Sequence, residues 1–340
     1  MHKYFGKQDD HGLFVMADLG LTCGGNLERA VQLIEAAAHL GTDAVKFQML
    51  DAEALLGDKS VTYTYPTLTS GDRTENMHEM FTALAFSDEE WNIIKEECVS
   101  KGLELVVTCH TESTVERVEK LDLRVNKICT WSLSHYRMIN QLAKNGKPLI
   151  LDTGTINRNE LNELESYYRN AGGGDIIILH DFHTDIAGEM NFRVIRELIN
   201  SGYEVGYTPQ GRKDWLDYMA IGLGAKFVEK RLTLSREIPE NGHWKAHNMD
   251  EFSEWMTNLK ECYEALGDGN LVPTQQDLKD AEKYYKSAWL VKDVEKGELI
   301  KDECFEFKRP GVGISSKQII ERFLGTNFKK SYIKGEMFTG

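Results

Sequence analysis

Three lysines in this chain interrupt apolar runs. Lys46 follows Ala44-Val45 and precedes Phe47 and Gln48. Lys127 follows Val125-Asn126, and Lys230 closes Phe227-Val228-Glu229. Each stretch reads as a short strand ending on a cation. In parallel α/β proteins, ligands bind at the carboxyl ends of strands, so separate strands would deliver these charges to one place. Clustered buried cations are costly unless an anion meets them. The implied chemistry is capture of a small phosphate or carboxylate. The amide of Gln48 stands beside Lys46, and the turn Asp152-Thr153-Gly154 offers a hydroxyl and backbone N–H groups to the same anion.

The elements that must position these groups alternate along the chain. Strands are predicted at 13–19, 44–49, 104–108, 125–128, 148–151, 175–179, 204–207 and 225–229. Helices fall between them, with Asn26 as a cap, Gly41 as a stop and Ser87-Asp88-Glu89-Glu90 as a capping box. The last of these helices runs from Met249 to Leu266. Eight strands, each followed by a helix, are the pattern of a (β/α)8 TIM barrel, an α/β fold. Residues 50–85 are long, polar and irregular, which reads as a lid over the barrel mouth. A linker at 267–283 leads to a turn-rich, short-stranded tail. The expected domains are a barrel over 1–280 and a small β-rich domain over 281–340.

The chain has 340 residues, 41% of them hydrophobic, and a formal net charge of −14. That balance argues against a nucleic-acid surface while leaving room for a local basic pocket. No run of 18 apolar residues offers a membrane span. The opening Met1-His2-Lys3-Tyr4-Phe5-Gly6 lacks a signal-peptide core. The six cysteines, at 23, 98, 109, 129, 262 and 304, form no Cys-x-x-Cys pair. A cytoplasmic protein with reduced thiols is expected.

Ordered motifs over nearly the whole length resemble the sialic acid synthase (N-acetylneuraminate synthase) family. Ala17-Asp18-Leu19-Gly20 is similar to its Ala-Glu-Ile-Gly, and Asp43 to Gln48 matches Asp-Ala-Val-Lys-Phe-Gln. Gly146-Lys147-Pro148-Leu149-Ile150-Leu151-Asp152-Thr153-Gly154 resembles Gly-Lys-Pro-x-Ile-Leu-Ser-Thr-Gly. Leu179-His180, Val205-Gly206-Tyr207-Thr208 and Leu223 to Lys230 continue the likeness, and residues 287–315, ending Arg309-Pro310-Gly311-Val312-Gly313-Ile314-Ser315, resemble its antifreeze-protein-like (SAF) domain. The resemblance implies condensation of phosphoenolpyruvate with an N-acylated amino sugar aldehyde in carbohydrate (cell-surface polysaccharide) biosynthesis. It also implies a domain-swapped homodimer, in which Arg309 reaches the sugar's acyl group from the partner chain, and a divalent metal held by two histidines.

The departures cluster at the chemistry. Tyr-Ser-Asp-His reads Tyr207-Thr208-Pro209-Gln210, and Glu-Lys-His-Phe reads Glu229-Lys230-Arg231-Leu232, so Gln210 and Arg231 replace the metal-binding histidines. Ser132 stands where the motif has its catalytic glutamate. An arginine keeps its proton and repels a metal ion. It could itself polarise a carbonyl, with Arg212 and Lys213 adding to the field. A rebuilt metal site would draw on His180, His183, His243 and His247 with Asp181 or Asp185. The plainer reading makes His180 a hydrogen-bonding partner and leaves the other histidines solvated or on substrate. Trp131, Trp244 and Tyr207 either stack on a sugar or pack at the rim. Cys109 and His110 are adjacent on a strand and face opposite ways, which argues against a thiol–imidazole pair.

Two functions remain open on these residues. One is an enzyme joining a phosphoenolpyruvate-like acid, bound by Lys46, Gln48, Lys127, Thr153, Tyr207, Thr208 and Lys230, to a sugar-derived carbonyl. In it, Arg231 or a relocated metal supplies the electrophile, Ser132 occupies the altered catalytic position, and Glu229, Asp18 or His180 handles protons. The other is a non-condensing homologue that binds a sugar acid or phosphorylated acid as a sensor or partner subunit. An imine on one of the three lysines is disfavoured, because clustered lysines serve an anion more readily than they yield a neutral amine.

Overall fold

The computed structural model describes residues 1–6, 12–184 and 186–340. Eight parallel strands close into a barrel: β1 (Phe14–Asp18), β2 (Ala44–Met49), β5 (Glu104–Cys109), β6 (Asn126–Ile128), β7 (Leu149–Asp152), β8 (Ile176–His180), β9 (Glu204–Tyr207) and β10 (Phe227–Arg231). β1 pairs with both β2 and β10, which closes the ring. The eight strands expected from the pattern of apolar runs are those of the barrel. Asn26 caps the helix Leu27–His39 by accepting from Arg29 N. Ser87 and Glu90 cap the helix Asp88–Ser100 reciprocally. Gly41, at φ 74°, takes the left-handed turn that ends the first helix.

Strand alternation sorts the side chains. Outward residues such as Val15, Val45, Leu105, Ile128, Leu151, Ile178, Val205 and Val228 pack under the helices with Trp91, Phe252 and Trp255. Each such buried apolar side chain contributes about 1.5–3 kcal/mol. Inward residues change along the barrel axis. Phe14, Met16, Ala44, Val106, Val125, Ile150, Ile177 and Phe227 fill the interior. Gly206 carries no side chain where a Cβ would meet the Phe227 ring at 2.6 Å. Beyond this apolar plug, at the carboxyl ends, the inward positions become Asp18, Lys46, Lys127, Asp152 and Glu229, all buried.

Residues 50–85 are more ordered than their composition suggested. β3 (Thr62–Thr67) and β4 (Gly71–Asn76) form an antiparallel hairpin flanked by the helices Ala52–Leu55 and Met77–Ala83. The Thr64–Thr74 hydroxyl pair and Tyr65–Glu75 tie its strands. Arg73 donates to Pro239 O at 2.7 Å, so the hairpin docks on the loop after β10.

The chain divides into two compact units, Met1–Gly267 and Asp268–Gly340, so the helix Gln275–Tyr284 goes with the second. That unit carries an antiparallel pair, β11 (Ser287–Leu290) and β12 (Phe305–Lys308). Its own core is built from Ala288, Leu290, Ile300, Phe305, Phe328, Tyr332 and Phe338. Among the described residues no helix is long and apolar enough to cross a membrane.

Candidate active site

β10 brings Glu229 into the barrel mouth, and its two oxygens separate two lysines. Lys46 Nζ lies 3.1 Å from Glu229 Oε1, and Lys127 Nζ lies 3.2 Å from Oε2. Lys46 also donates to Asp18 Oδ1 at 3.0 Å, and Lys127 to Asp152 Oδ1 at 2.6 Å. Arg231 donates through Nε and Nη2 to Asp18 Oδ2 at 3.1 and 2.9 Å. Five strands thus contribute to one buried network of alternating charge.

The anions that meet the buried cations are therefore the protein's own carboxylates. Burial opposes the charged form of Asp18, but Lys46 and Arg231 outweigh it and hold the carboxyl below the usual range. Burial likewise works against the Lys46 ammonium, and Asp18 and Glu229 overcome it, raising the pKa. Asp152 goes the other way. Burial, with Glu229 and Asp181 nearby, pushes it up to about 7 against the pull of Lys127. A carboxyl near neutrality, beside a lysine at the mouth of a barrel, can gain or lose a proton at working pH.

Around this network lie Asp181, Gln210 and Lys245. Gln210 Nε2 donates to Asp181 Oδ1 at 2.7 Å, and Lys245 Nζ donates to Gln210 Oε1 at 3.2 Å. Burial and Arg231 push the Lys245 amine down to about 7, against Asp18 and Asp181. His110, inward on the next residue after β5, is pushed down to about 4 by burial, Lys46 and Lys127. Thr208 is buried at the end of β9.

Several expected site residues lie elsewhere. Lys230 is outside the barrel wall, bonded to Asp214 at 2.7 Å and Asp217 at 2.5 Å, with its charge over the Trp255 ring. Glu229 faces inward, so its neighbour must face outward. The same parity sends His180 and Tyr207 to the outer layer, where His180 contacts Met190 O at 2.8 Å and both rings pack against Phe192. The Asp152-Thr153-Gly154 turn is not an anion cradle. Thr153 N donates to Leu179 O, Gly154 N to Asp181 O, and the Thr153 hydroxyl accepts from Asp181 N. Ser132 is buried with its hydroxyl 3.7 Å from Cys129 Sγ. Arg212 pairs with Glu251 at 2.7 Å. Arg309, in the second unit, donates to Tyr284 O and covers that ring. Trp131 is 70% exposed, with its ring 4.5 Å from His183. Asp18, Asp152 and Asp181 take part more fully than expected, and Lys245 was not foreseen. Strand alternation could have found the aspartates; nothing local marks Lys245.

The metal implied by the resemblance does not fit these residues. Arg231 offers only donors, and the one ligating oxygen of Gln210 already accepts from the Lys245 amine. The alternative histidines do not converge either. His243 contacts Thr233 Oγ1 at 2.7 Å, His247 pairs with Asp214 at 2.9 Å, and His180 is on Met190. Asp185 lies outside the described residues. Among the described residues, no three His, Cys, Asp or Glu side chains are grouped to hold a metal ion.

A second cleft, lined by Lys3, Tyr4, Glu165, Arg169, Asp175 and Lys226, lies at the amino ends of the strands. Ligand chemistry in such barrels belongs to the carboxyl ends, which leaves the charged mouth as the candidate site. Fold and site together define a TIM barrel whose apolar interior opens onto a network of paired acids and bases.

The chain belongs to the NeuB family, whose pattern matches residues 33–271. It is 26% identical to the N,N'-diacetyllegionaminic acid synthase of Legionella pneumophila, over 90% of this chain and 88% of that one. It is 25% identical to a pseudaminic acid synthase of Campylobacter jejuni, over 96% and 95%. The crystal structure of the N-acetylneuraminic acid synthetase of Leptospira borgpetersenii superposes with a TM-score of 0.70 at 20% identity, covering 80% of this chain and 90% of that one. Its relatives therefore include sugar acid synthases, and the barrel is shared with them.

Proposed function

We propose that this chain binds phosphoenolpyruvate, or a similar small phosphorylated acid, at Lys46 and Lys127 and condenses it with a sugar-derived aldehyde, releasing phosphate. The observation that carries the reading is the bridge of Lys46 and Lys127, from β2 and β6, by the single carboxylate of Glu229 at the barrel mouth. Two ammonium groups held by one acid form a receptor for a ligand bearing a phosphate and a carboxylate. Such a ligand would take over contacts now made by Asp152 and Glu229. Gln48, two residues after Lys46 on β2, and Thr208, two after Gly206 of β9, share the inward parity of their strands and would complete the receptor, and the resemblance would bring Arg309 of a partner chain to the acceptor's acyl group. Named sugar acid synthases among the relatives support this substrate pair.

The reaction joins C3 of the enol phosphate to the aldehyde carbon, and water then adds at C2. A carboxylate of the network, Glu229 or Asp152, takes the water's proton. Isothermal titration of phosphoenolpyruvate into the full chain tests binding, and phosphate release with N-acylated hexosamines tests condensation. Heat of binding with phosphate release above background is expected. Absence of any binding heat overturns the reading.

One observation favours a second reading, a barrel that binds without condensing: Asp18, Glu229 and Asp152 already neutralise the mouth's cations from within. In that case a sugar acid or phosphorylated acid binds, and no acceptor yields phosphate.

A further inference from the structure

We propose that Lys245 is the group that polarises the acceptor's carbonyl, its ammonium standing in for the metal that the site residues do not fit. The proposal rests on the condensation reading above and adds a residue and a chemistry to it.

The segment carrying Lys245 is fixed to the end of β10 on both sides. His247 N donates to Arg231 O at 3.0 Å, and Thr233 N donates to His247 O at 2.8 Å, so the chain returns alongside the strand. Gly242, at φ 92°, turns into the short 3-10 helix His243–Lys245, and the buried His243 pins that helix through Thr233 Oγ1. This places the Lys245 amine on Gln210 Oε1, with Arg231 as a further charge acting on it. Gln210 and Arg231 are the two positions where the motif they resemble carries histidines. A lysine thus touches one of the former ligand positions and feels the other.

Its partners set Lys245 apart from the other lysines. Lys46 and Lys127 are each held by two carboxylates. Lys230 is spent outside the wall on Asp214 and Asp217. Lys245 donates to a neutral amide, and among the described residues no carboxylate lies within ion-pair distance of it. Its N–H groups are those left to meet an incoming oxygen. Arg231 is locked by two hydrogen bonds to Asp18 and serves as a fixed positive field.

The step balances as follows. C3 of the enol phosphate forms a bond to the aldehyde carbon. The carbonyl π pair moves to its oxygen, which takes a proton from Lys245 Nζ. Water adds to the cation left at C2 and gives up one proton, which recharges the lysine over the cycle. The C2–O bond to phosphate then breaks with its electron pair, and the C2 hydroxyl passes its proton to the departing phosphate.

The test uses the full chain with three measurements. First, the protein is incubated with glyceraldehyde and cyanoborohydride and mapped by mass spectrometry. A lysine that gives its proton to the carbonyl oxygen is left as an amine in reach of the aldehyde, so an adduct on Lys245 ahead of Lys46 and Lys127 is expected; equal or absent modification at Lys245 overturns the proposal, whether or not phosphoenolpyruvate binds. Second, manganese is titrated and the free-ion electron paramagnetic resonance signal followed. Tight binding that Gln210→Ala abolishes overturns it as well. Third, Lys245→Met is expected to lower kcat for phosphate release by about a hundredfold while phosphoenolpyruvate affinity by calorimetry holds. Lys245→Arg, which keeps the charge, is expected to recover part of the rate. Loss of phosphoenolpyruvate binding in Lys245→Met, with rate and affinity falling together, assigns the residue to anion capture and overturns the proposal. If the wild-type chain binds no phosphoenolpyruvate, the condensation reading falls while the adduct and manganese results still judge Lys245.

Discussion

Lys127 Nζ and Asp152 Oδ1 are 2.6 Å apart inside the barrel mouth. The lysine that should receive an incoming anion already has one. Asp152 occupies the place of a serine in the motif it resembles, and a serine there would leave Lys127 held by Glu229 alone. Asp152→Ser is therefore expected to tighten phosphoenolpyruvate binding by about tenfold, or about 1.4 kcal/mol. Isothermal titration of both proteins checks this, and unchanged or weaker binding counts against Lys127 as part of the receptor.

The same carboxyl makes binding depend on pH. Its pKa is pushed up to about 7, chiefly by burial. It is charged above that value and neutral below it. A neutral Asp152 no longer competes with an anion for Lys127. Affinity for inorganic phosphate or phosphoenolpyruvate should then rise as pH falls from about 8 to about 6. Ligand protonation also acts in this range, so the reading is the difference from Asp152→Asn, whose profile should lack this contribution.

Lys230 gives the opposite kind of prediction. Asp217 is fully buried and held by Lys230 and by Trp255 Nε1 at 2.8 Å. Lys230→Met would strand that carboxylate and cost about 3–5 kcal/mol of stability. Urea unfolding should show the loss, while phosphoenolpyruvate affinity stays within about twofold of wild type. Lys127→Met should instead abolish measurable binding. A large affinity loss in Lys230→Met would restore Lys230 to the site.

The barrel was readable because its strands are apolar runs at even spacing, closed by caps and glycines whose geometry is local. The site was readable only in part. Lys46 and Lys127 show in the sequence as charges that interrupt apolar strands, while Glu229 and Arg231 show only through the motif they resemble. Glu229 and Lys230 are neighbours on β10, and strand alternation sends them to opposite faces, so only one of the two can enter the mouth. The same alternation turns His180 and Tyr207 outward and Asp181 inward. The hairpin at 62–76 carries little strand signal because, Tyr65 apart, its strands are largely polar and exposed, with no run of core-facing residues to mark them. Lys245 lies in a loop, and its position is set by pairing of His247 with the end of β10, a long-range contact that no local pattern announces.

Asp18 ties two cations of the network together, which gives it a measurable share in stability. Its carboxyl is held below the usual range, so its contribution is present at neutral pH and disappears as pH falls below the unfolded value toward the folded one. Asp18→Asn leaves Lys46 and Arg231 short of a buried partner and should cost about 3–5 kcal/mol at neutral pH. In urea unfolding the gap between wild type and variant should hold from about pH 7 to about pH 5 and narrow below about pH 4. A gap that widens with acid would mean that Asp18 is not the charged partner of Lys46 and Arg231.

His110 and Cys129 meet at the mouth, with Nδ1 3.6 Å from Sγ. The contact invites comparison with a nucleophilic thiol, yet both groups are neutral. Lys46 and Lys127 add to burial in driving the imidazole down to about 4, and burial raises the Cys129 thiol. A reactive cysteine needs a cationic imidazole or another charge to hold it as thiolate. The lysines that could do so are already committed to Asp152, Asp18 and Glu229. Cys129 should therefore alkylate with iodoacetamide at neutral pH more slowly than free glutathione, and Cys129→Ser should keep its affinity for phosphoenolpyruvate. Alkylation faster than the free thiol, blocked by phosphoenolpyruvate, would instead make the His110–Cys129 contact a reacting pair and require a different chemistry for this barrel.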